Sequence, residues 1–125
     1  MTSVRVLVVE DESIVSMDIQ STLESLGYDV VGAAATGEDA VNFATEKLPD
    51  IVLMDIMMPF ADGYEAFEQI CKKSTDPTVP IIALTAKAMK NDREELLSFG
   101  FTDYIPKPID DEALIKTIEK HLPKQ

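Results

Sequence analysis

Five short apolar runs alternate with segments of helical periodicity along this chain, and this alternation limits the possible fold more than any other feature. The runs are VRVLVV at 4–9, YDVVGAA at 28–34, DIVLMD at 50–55, VPIIALT at 79–85 and FTDYIP at 101–106. Their apolar residues are largely continuous, which indicates strands of a parallel sheet that is covered on both faces. Right-handed crossovers between such strands predict a doubly wound α/β domain with helices on both faces.

Helices are predicted between and after these strands, because apolar residues recur there at helical spacing. Gly27 is a natural stop for the first helix, and Thr36 with Asp39 resembles a capping box at the start of the second. The last helix is predicted to begin at Asp110. The apolar residues of the predicted helices are, in chain order, Val15, Ile19, Leu23 and Leu26; Ala40, Val41, Ala44 and Leu48; Ala66, Phe67, Ile70 and Cys71; Met89, Leu96 and Leu97; and Leu114, Ile118 and Leu122.

Length and charge narrow the classes of function. The 125 residues are interpreted as a single domain, residues 1–125. The formal net charge is −12, so we expect no direct contact with nucleic acid, which requires clustered Lys and Arg. No apolar run is long enough to span a bilayer and the N-terminus does not resemble a signal peptide, so we expect no membrane association and a cytoplasmic location.

Two residue types occur only once, and both exclude common kinds of site. Cys71 is the only cysteine, which excludes a disulfide within the chain and a cysteine zinc cluster. His121 is the only histidine and is interpreted as a surface residue in the last turn of the terminal helix. Histidine metal sites and histidine-based catalytic triads are therefore excluded.

Polar residues gather where the predicted strands end. Glu10 and Asp11 follow the first strand, Asp55 ends the third, Thr85 ends the fourth and Lys107 follows the fifth. Each of them alone is explained by a helix cap or a solvated side chain. Together they lie at the carboxyl edge of the sheet, where doubly wound folds bind their ligands.

The chemistry of this set points to a phosphoryl group. Clustered carboxylates without His or Cys favour a hard cation, and Mg²⁺, or Mn²⁺ in its place, fits such oxygen ligands together with phosphate. One ammonium and one hydroxyl suit the remaining phosphoryl oxygens. Because Asp55 ends the central strand, between the acidic pair and Lys107, it is the candidate nucleophile, which gives an aspartyl phosphate.

Four motifs carry a family resemblance: VLVVEDE, PDIVLMDIMMPFADGYE, PIIALTAKA and DYIPKPI, in this order. With them the chain resembles, over essentially its whole length, the receiver domain of two-component response regulators. The resemblance implies the flavodoxin-like strand order 2-1-3-4-5. It also implies a signalling phosphoacceptor rather than an enzyme in the ordinary sense, one that catalyses its own phosphorylation and dephosphorylation.

The resemblance further implies a role for each matched residue. These roles are Glu10, Asp11 and Asp55 as metal ligands; Met57 as a metal ligand through its backbone carbonyl; Asp55 as phosphoacceptor; Lys107 as partner of the phosphoryl group; Thr85 and Tyr104 as switch residues; Ala86 as the small residue beside the phosphoryl group; and Lys107–Pro108 as a cis peptide bond. Met57 and Lys87 occupy positions where the family varies, and Pro106 before the lysine is less usual.

The implied partners are proteins. A histidine kinase or a histidine phosphotransfer protein would donate the phosphoryl group from a phosphohistidine, and a downstream effector protein would read the switched surface. Stand-alone receivers and receivers of hybrid kinases are both similar to this chain, and we favour a stand-alone regulator.

Three alternative functions fit the sequence less well. A haloacid-dehalogenase-like phosphatase needs a second Asp two residues after the nucleophile, where this chain has Met57, and it needs a cap domain. A flavodoxin-like FMN carrier needs a Ser/Thr/Gly-rich loop after the first strand, where this chain has the acidic EDES. A degenerate receiver that is never phosphorylated is disfavoured because every residue of the site is present.

Overall fold

A computed structural model describes residues 4–56, 68–69, 79–85, 90–107 and 109–121. In chain order its elements are β1 (Arg5–Val9), α1 (Ser13–Ser25), β2 (Asp29–Ala34), α2 (Gly37–Lys47), β3 (Ile51–Asp55), β4 (Ile81–Thr85), α3 (Lys90–Phe99), β5 (Asp103–Pro106) and α4 (Asp111–His121). The predicted helix between β3 and β4 is seen only at Glu68 and Gln69, which are helical. The residues that predicted it, Ala66, Phe67, Ile70 and Cys71, lie outside the described residues, as do Met89 and Leu122.

The five strands form one parallel sheet in the order β2-β1-β3-β4-β5. This confirms the predicted doubly wound fold and its strand order. The strand that ends in Asp55, β3, is central, with β1 on one side and β4 on the other. All strands therefore present their carboxyl ends at the same edge.

Alternating strand residues divide the interior into two layers, because successive side chains of a strand point to opposite faces. One layer lies under α1 and α4 and contains Val6, Val8, Ile19, Leu23, Ile51, Leu53, Ile82, Leu84, Ile105, Leu114 and Ile118. The other lies under α2 and α3 and contains Leu7, Val9, Ala34, Ala40, Val41, Ala44, Val52, Met54, Ile56, Ile81, Ala83, Leu96 and Phe101. Helices thus cover both faces of the sheet, as predicted.

Helix ends explain why two leucines of the predicted helix faces, Leu26 and Leu48, are exposed. Thr36 Oγ1 accepts a hydrogen bond from the Asp39 N–H at 3.1 Å, so the predicted cap of α2 is present. Leu48 does not continue the buried face of α2: it ends the helix in a left-handed conformation, with φ of 48°, and is 53% exposed. Leu26 likewise ends α1 and is exposed, because a residue at the end of a helix leaves its buried stripe.

His121 corrects the prediction of a plain surface residue. Its side chain is only 18% exposed, and its Nε2 lies 2.8 Å from Asp103 Oδ2. The other oxygen of Asp103 accepts the N–H of Tyr104 at 2.8 Å. The last residue of α4 thus returns to the first residue of β5, a contact that the periodicity of α4 cannot indicate. Within the described ranges, no helix has the length and apolar character needed to cross a membrane.

Candidate functional site

The strand ends bring the predicted site residues to one edge. Asp55 and Thr85 are the last residues of the neighbouring strands β3 and β4, and Glu10 directly follows β1. The backbone N–H of Lys107 donates to the Thr85 carbonyl at 2.8 Å, which extends the ladder between β4 and β5 by one residue. Glu10, Asp55 and Thr85 are all buried although they are polar, which marks this edge as a site rather than as solvated surface.

Strand alternation separates these residues into two groups. Glu10, Asp55 and Lys107 each follow, by two residues, a member of the layer under α1 and α4. Thr85 instead follows Ala83, which belongs to the layer under α2 and α3, and Tyr104 packs against that same layer. The acidic and basic groups therefore share one face, and the two predicted switch residues share the other.

Lys107 joins two of the carboxylates. Its Nζ lies 2.6 Å from Glu10 Oε1 and 3.0 Å from Asp55 Oδ2. The second oxygen of Glu10 accepts the backbone N–H of Glu12 at 3.1 Å. The Lys107 side chain is 19% exposed, whereas those of Glu10 and Asp55 are 0% and 3% exposed, so Lys107 is the member of this trio that reaches solvent.

Burial and neighbouring charges shift the ionisation of this cluster. The pKa of Glu10 is raised to about 7: burial is the largest cause and the nearby Asp55 adds to it, while the hydrogen bonds from Lys107 and from the Glu12 N–H oppose the shift. Burial lowers the pKa of Lys107, but its hydrogen bonds to Glu10 and Asp55 outweigh burial, so the pKa of the ammonium is raised above its usual value. Lys107 is therefore a fixed positive charge at neutral pH.

The donor set fits a hard divalent cation. One carboxylate oxygen from each of Glu10, Asp11 and Asp55 lies within 4.8 Å of the others. These oxygens come from carboxylates alone, which is the chemistry that Mg²⁺ and Mn²⁺ prefer. Glu12 is not part of this set, because it ends the coil before α1 and contributes only its backbone N–H to Glu10.

The two predicted switch residues differ in burial. Thr85 is 0% exposed, and Tyr104 is half-buried against the layer under α2 and α3. Pro106 lies opposite Thr85 on the edge strand β5 and is exposed, which is a position where a missing backbone donor is tolerated. Met57, Ala86, Lys87 and Pro108 lie outside the described residues, so their roles and the cis peptide bond remain predictions.

Sequence reasoning missed two contacts of these side chains. It treated Glu10 only as a metal ligand, although Glu10 also bonds Lys107. It also missed the bond between Asp103 and His121. A signal for the first was present, because Glu carries one methylene more than Asp and reaches further along the edge. The contact between Asp103 and His121 had no signal in the sequence, since nothing in the local pattern pairs the start of a strand with the end of a helix.

Comparison of the sequence with protein families gives a match over residues 6–119 to the response regulator receiver domain. The chain is 37% identical to protein PilH of Pseudomonas aeruginosa over 114 residues, which cover 91% of this chain and 93% of PilH. It is 38% identical to the transcriptional regulatory protein PdtaR of Mycobacterium tuberculosis over 92% of this chain but only 55% of PdtaR. Sensor protein GacS of Pseudomonas syringae is 40% identical over 93% of this chain and 13% of GacS.

Solved structures resemble the fold over nearly its full length. The receiver domain of a sensor histidine kinase from Pseudomonas aeruginosa PAO1, with a magnesium ion coordinated in its active site cleft, is 38% identical with a TM-score of 0.84, covering 95% of this chain and 97% of that one. Chemotaxis protein CheY4 of Vibrio cholerae is 29% identical with a TM-score of 0.89, covering 97% of this chain and all of that one.

Proposed function

The chain belongs to the family of response regulator receiver domains, and from this premise we propose that Asp55 accepts a phosphoryl group from a phosphohistidine of a partner protein. Receiver domains are signalling proteins rather than classical enzymes. The observation that carries the proposal is the buried Asp55 carboxylate with the Lys107 ammonium 3.0 Å from its Oδ2. Asp55 is held in place at the end of its strand, so its carboxylate can attack the phosphorus of an incoming phosphoryl group. The Lys107 ammonium beside it neutralises part of the negative charge of that group.

The transfer itself exchanges one bond to phosphorus for another. An oxygen of Asp55 forms a bond to phosphorus as the bond from phosphorus to the donor's imidazole nitrogen breaks. Lys107 offsets the negative charge of the phosphoryl oxygens, and Glu10, Asp11 and Asp55 would hold Mg²⁺ or Mn²⁺, with the backbone carbonyl of Met57 as a further ligand. When bound, that cation supplies charge neutralisation and orientation to the phosphoryl oxygens. Hydrolysis of the aspartyl phosphate at the same site ends the signal.

The response follows on the opposite face of the sheet edge. Thr85 is buried at the end of β4, and Tyr104 packs on the same layer. A phosphoryl group on Asp55 offers Thr85 a new hydrogen-bond acceptor, and Tyr104 then follows Thr85 inward. This is a shift between two populated conformations that changes the surface of α3, β5 and α4.

The partners are proteins that carry or read the phosphoryl group. We assign the donor to a histidine kinase or histidine phosphotransfer protein and the reader to an effector protein. Ile14 and Met17, one turn apart on α1 just after the acidic pair in the chain, are 75% and 65% exposed and offer the donor an apolar contact. We place this activity in the cytoplasm and within one domain.

The test is phosphorylation by a small donor. Purified protein is incubated with acetyl phosphate and Mg²⁺, and its intact mass is measured. The expected result is one added phosphoryl group for the wild type and for Asp29→Asn, an exposed Asp at the start of β2, and none for Asp55→Asn or in excess EDTA. Equal labelling of Asp55→Asn and wild type would show that Asp55 is not the acceptor.

A further inference from the structure

The shortest ion pair among the described residues joins Lys107 to Glu10 rather than to Asp55. Lys107 Nζ is 2.6 Å from Glu10 Oε1, against 3.0 Å from Asp55 Oδ2. We call the Glu10–Lys107 contact the latch. The other Glu10 oxygen accepts the Glu12 N–H, so both oxygens of this buried carboxylate have partners. A cation that binds Glu10 must therefore share or displace one of them.

The two partners of Glu10 differ in how strongly they oppose the binding of a cation to its carboxylate. A backbone N–H is a dipole and can remain beside a coordinated carboxylate. An ammonium on Oε1 carries a full positive charge, and it repels a divalent cation strongly in a site shielded from water. Because Lys107 also bonds Asp55, release from Glu10 leaves the ammonium a partner within the site.

We propose that the latch and a divalent cation exclude each other, so that cation binding releases Lys107 from Glu10 and leaves it to Asp55. The proposal rests on the proposed function, since it concerns the same metal ligands and the same phosphoacceptor. It adds an order of events: the cation enters first, and Lys107, which already bonds Asp55, is then no longer shared with Glu10 when the phosphoryl group arrives. Glu10 thus has two successive partners and regulates the availability of the lysine.

The length of Glu10 provides the variant that tests this. Glu10→Asp keeps a carboxylate for the cation but is one methylene shorter, so it withdraws from Lys107. Lys107→Met keeps most of the apolar stem and removes the ammonium. If the latch opposes the cation, shortening Glu10 removes that opposition only where Lys107 is present. Any loss of reach toward the cation is the same in both backgrounds and cancels in the comparison.

The experiment measures Mg²⁺ affinity by calorimetry for wild type, Glu10→Asp, Lys107→Met and the double variant. Two ratios of Mg²⁺ affinity are compared: Glu10→Asp over wild type, and the double variant over Lys107→Met. The first ratio is expected to exceed the second by at least about threefold, which is within the range of coupling between contacting residues. Equal ratios in the two backgrounds overturn the latch. Thermal unfolding of each variant identifies any that does not fold.

A second readout follows the Lys107 ammonium directly. In wild type labelled with ¹⁵N-lysine, the Lys107 Nζ resonance is assigned by its absence from Lys107→Met. Addition of Mg²⁺ is expected to shift this resonance in wild type, and the midpoint of the shift should match the midpoint of metal binding. The shift at saturating Mg²⁺ is expected to be smaller in Glu10→Asp. An Nζ resonance that stays in place at saturation overturns the latch.

The outcomes separate the two proposals. Wild type that binds no Mg²⁺ contradicts the metal site of the proposed function and the latch with it. Wild type that binds Mg²⁺ and is phosphorylated on Asp55, but shows equal ratios and a stationary Lys107 resonance, contradicts the latch alone.

Discussion

Lys107 Nζ lies 3.0 Å from Asp55 Oδ2, a contact that joins the end of β5 to the end of β3 across the intervening β4. The two residues are 52 positions apart in the chain, so neither strand alone can form the pair. Strand alternation places both side chains under α1 and α4, whereas Thr85 on β4 faces the other layer. The strand β4 therefore separates the backbones of Asp55 and Lys107, but the Thr85 side chain points away and does not lie between theirs.

Removal of Lys107 is expected to slow phosphorylation without abolishing it. Lys107→Ala removes the ammonium that lies 3.0 Å from Asp55 Oδ2, and loss of one such charge in a preorganised site typically costs about 10²-fold or more in rate. The measurement is the initial rate of labelling by acetyl phosphate with saturating Mg²⁺.

The matched control for that change is Lys116→Ala. Lys116 is 76% exposed on α4 and pairs with Glu112 on the same helix, at 3.5 Å. We expect this variant to be labelled at the wild-type rate. A Lys107→Ala rate equal to that of Lys116→Ala would contradict the assigned role of Lys107.

Ionisation of Glu10 should make stability depend on pH in a specific direction. Its folded pKa is about 7 against an ordinary 4.5, so between these values the folded protein binds more protons than the unfolded chain. The contribution of Glu10 to stability is therefore complete below about pH 4.5 and is lost as the pH rises through about 7. Glu10→Gln, which is neutral and of nearly the same size, lacks this dependence.

The free energy of unfolding of wild type and Glu10→Gln is measured by urea denaturation in EDTA from pH 5 to pH 8. Relative to Glu10→Gln, wild type is expected to lose on the order of 1–3 kcal/mol over this range. Taking the difference between the two proteins removes the contributions of the other carboxylates. A difference that stays constant, or that grows in favour of wild type, would show that the pKa of Glu10 is not raised.

Much of this architecture is readable from the sequence, for identifiable physical reasons. Continuous apolar runs specify a parallel sheet, and polar residues after those runs must then meet at one edge, which is how Glu10, Asp55 and Lys107 were found. Contacts within that edge were harder to predict, because they depend on side-chain reach and on the face that each strand presents; the extra methylene of Glu10 is the one sequence signal for its contact with Lys107. Helix ends were also hard to place: Leu48 has the right spacing for the buried face of α2, yet it lies where the chain turns away.

Thr85 should govern the response to phosphorylation rather than the phosphorylation itself. Thr85→Ala removes the buried hydroxyl, whereas Thr85→Ser keeps it, and both leave Asp55 and Lys107 in place. We expect both variants to be phosphorylated by acetyl phosphate. Backbone amide shifts in β5 and α4 should change on phosphorylation in wild type and Thr85→Ser, and clearly less in Thr85→Ala. Equal shifts in all three proteins would remove Thr85 from the switch.

The contact between Asp103 and His121 makes a prediction about stability that is independent of phosphorylation. His121→Ala removes a half-buried partner of Asp103 and is expected to lower the free energy of unfolding by about 1–2 kcal/mol. The adjacent Lys120 is 72% exposed and 3.9 Å from the same carboxylate, so Lys120→Ala should cost less than about 0.5 kcal/mol. Urea denaturation of the two variants compares them directly, and equal losses would contradict a specific role of the histidine.

The central claim is that Asp55 carries the phosphoryl group, and chemical trapping of that bond tests it most directly. Borohydride reduces an aspartyl phosphate to homoserine, which peptide mass spectrometry locates in the sequence. After treatment with acetyl phosphate and Mg²⁺, followed by borohydride, we predict homoserine at position 55 and at no other aspartate, and none when acetyl phosphate is omitted. Homoserine at a different aspartate, or unmodified Asp55 in protein whose mass shows a phosphoryl group, would contradict this account.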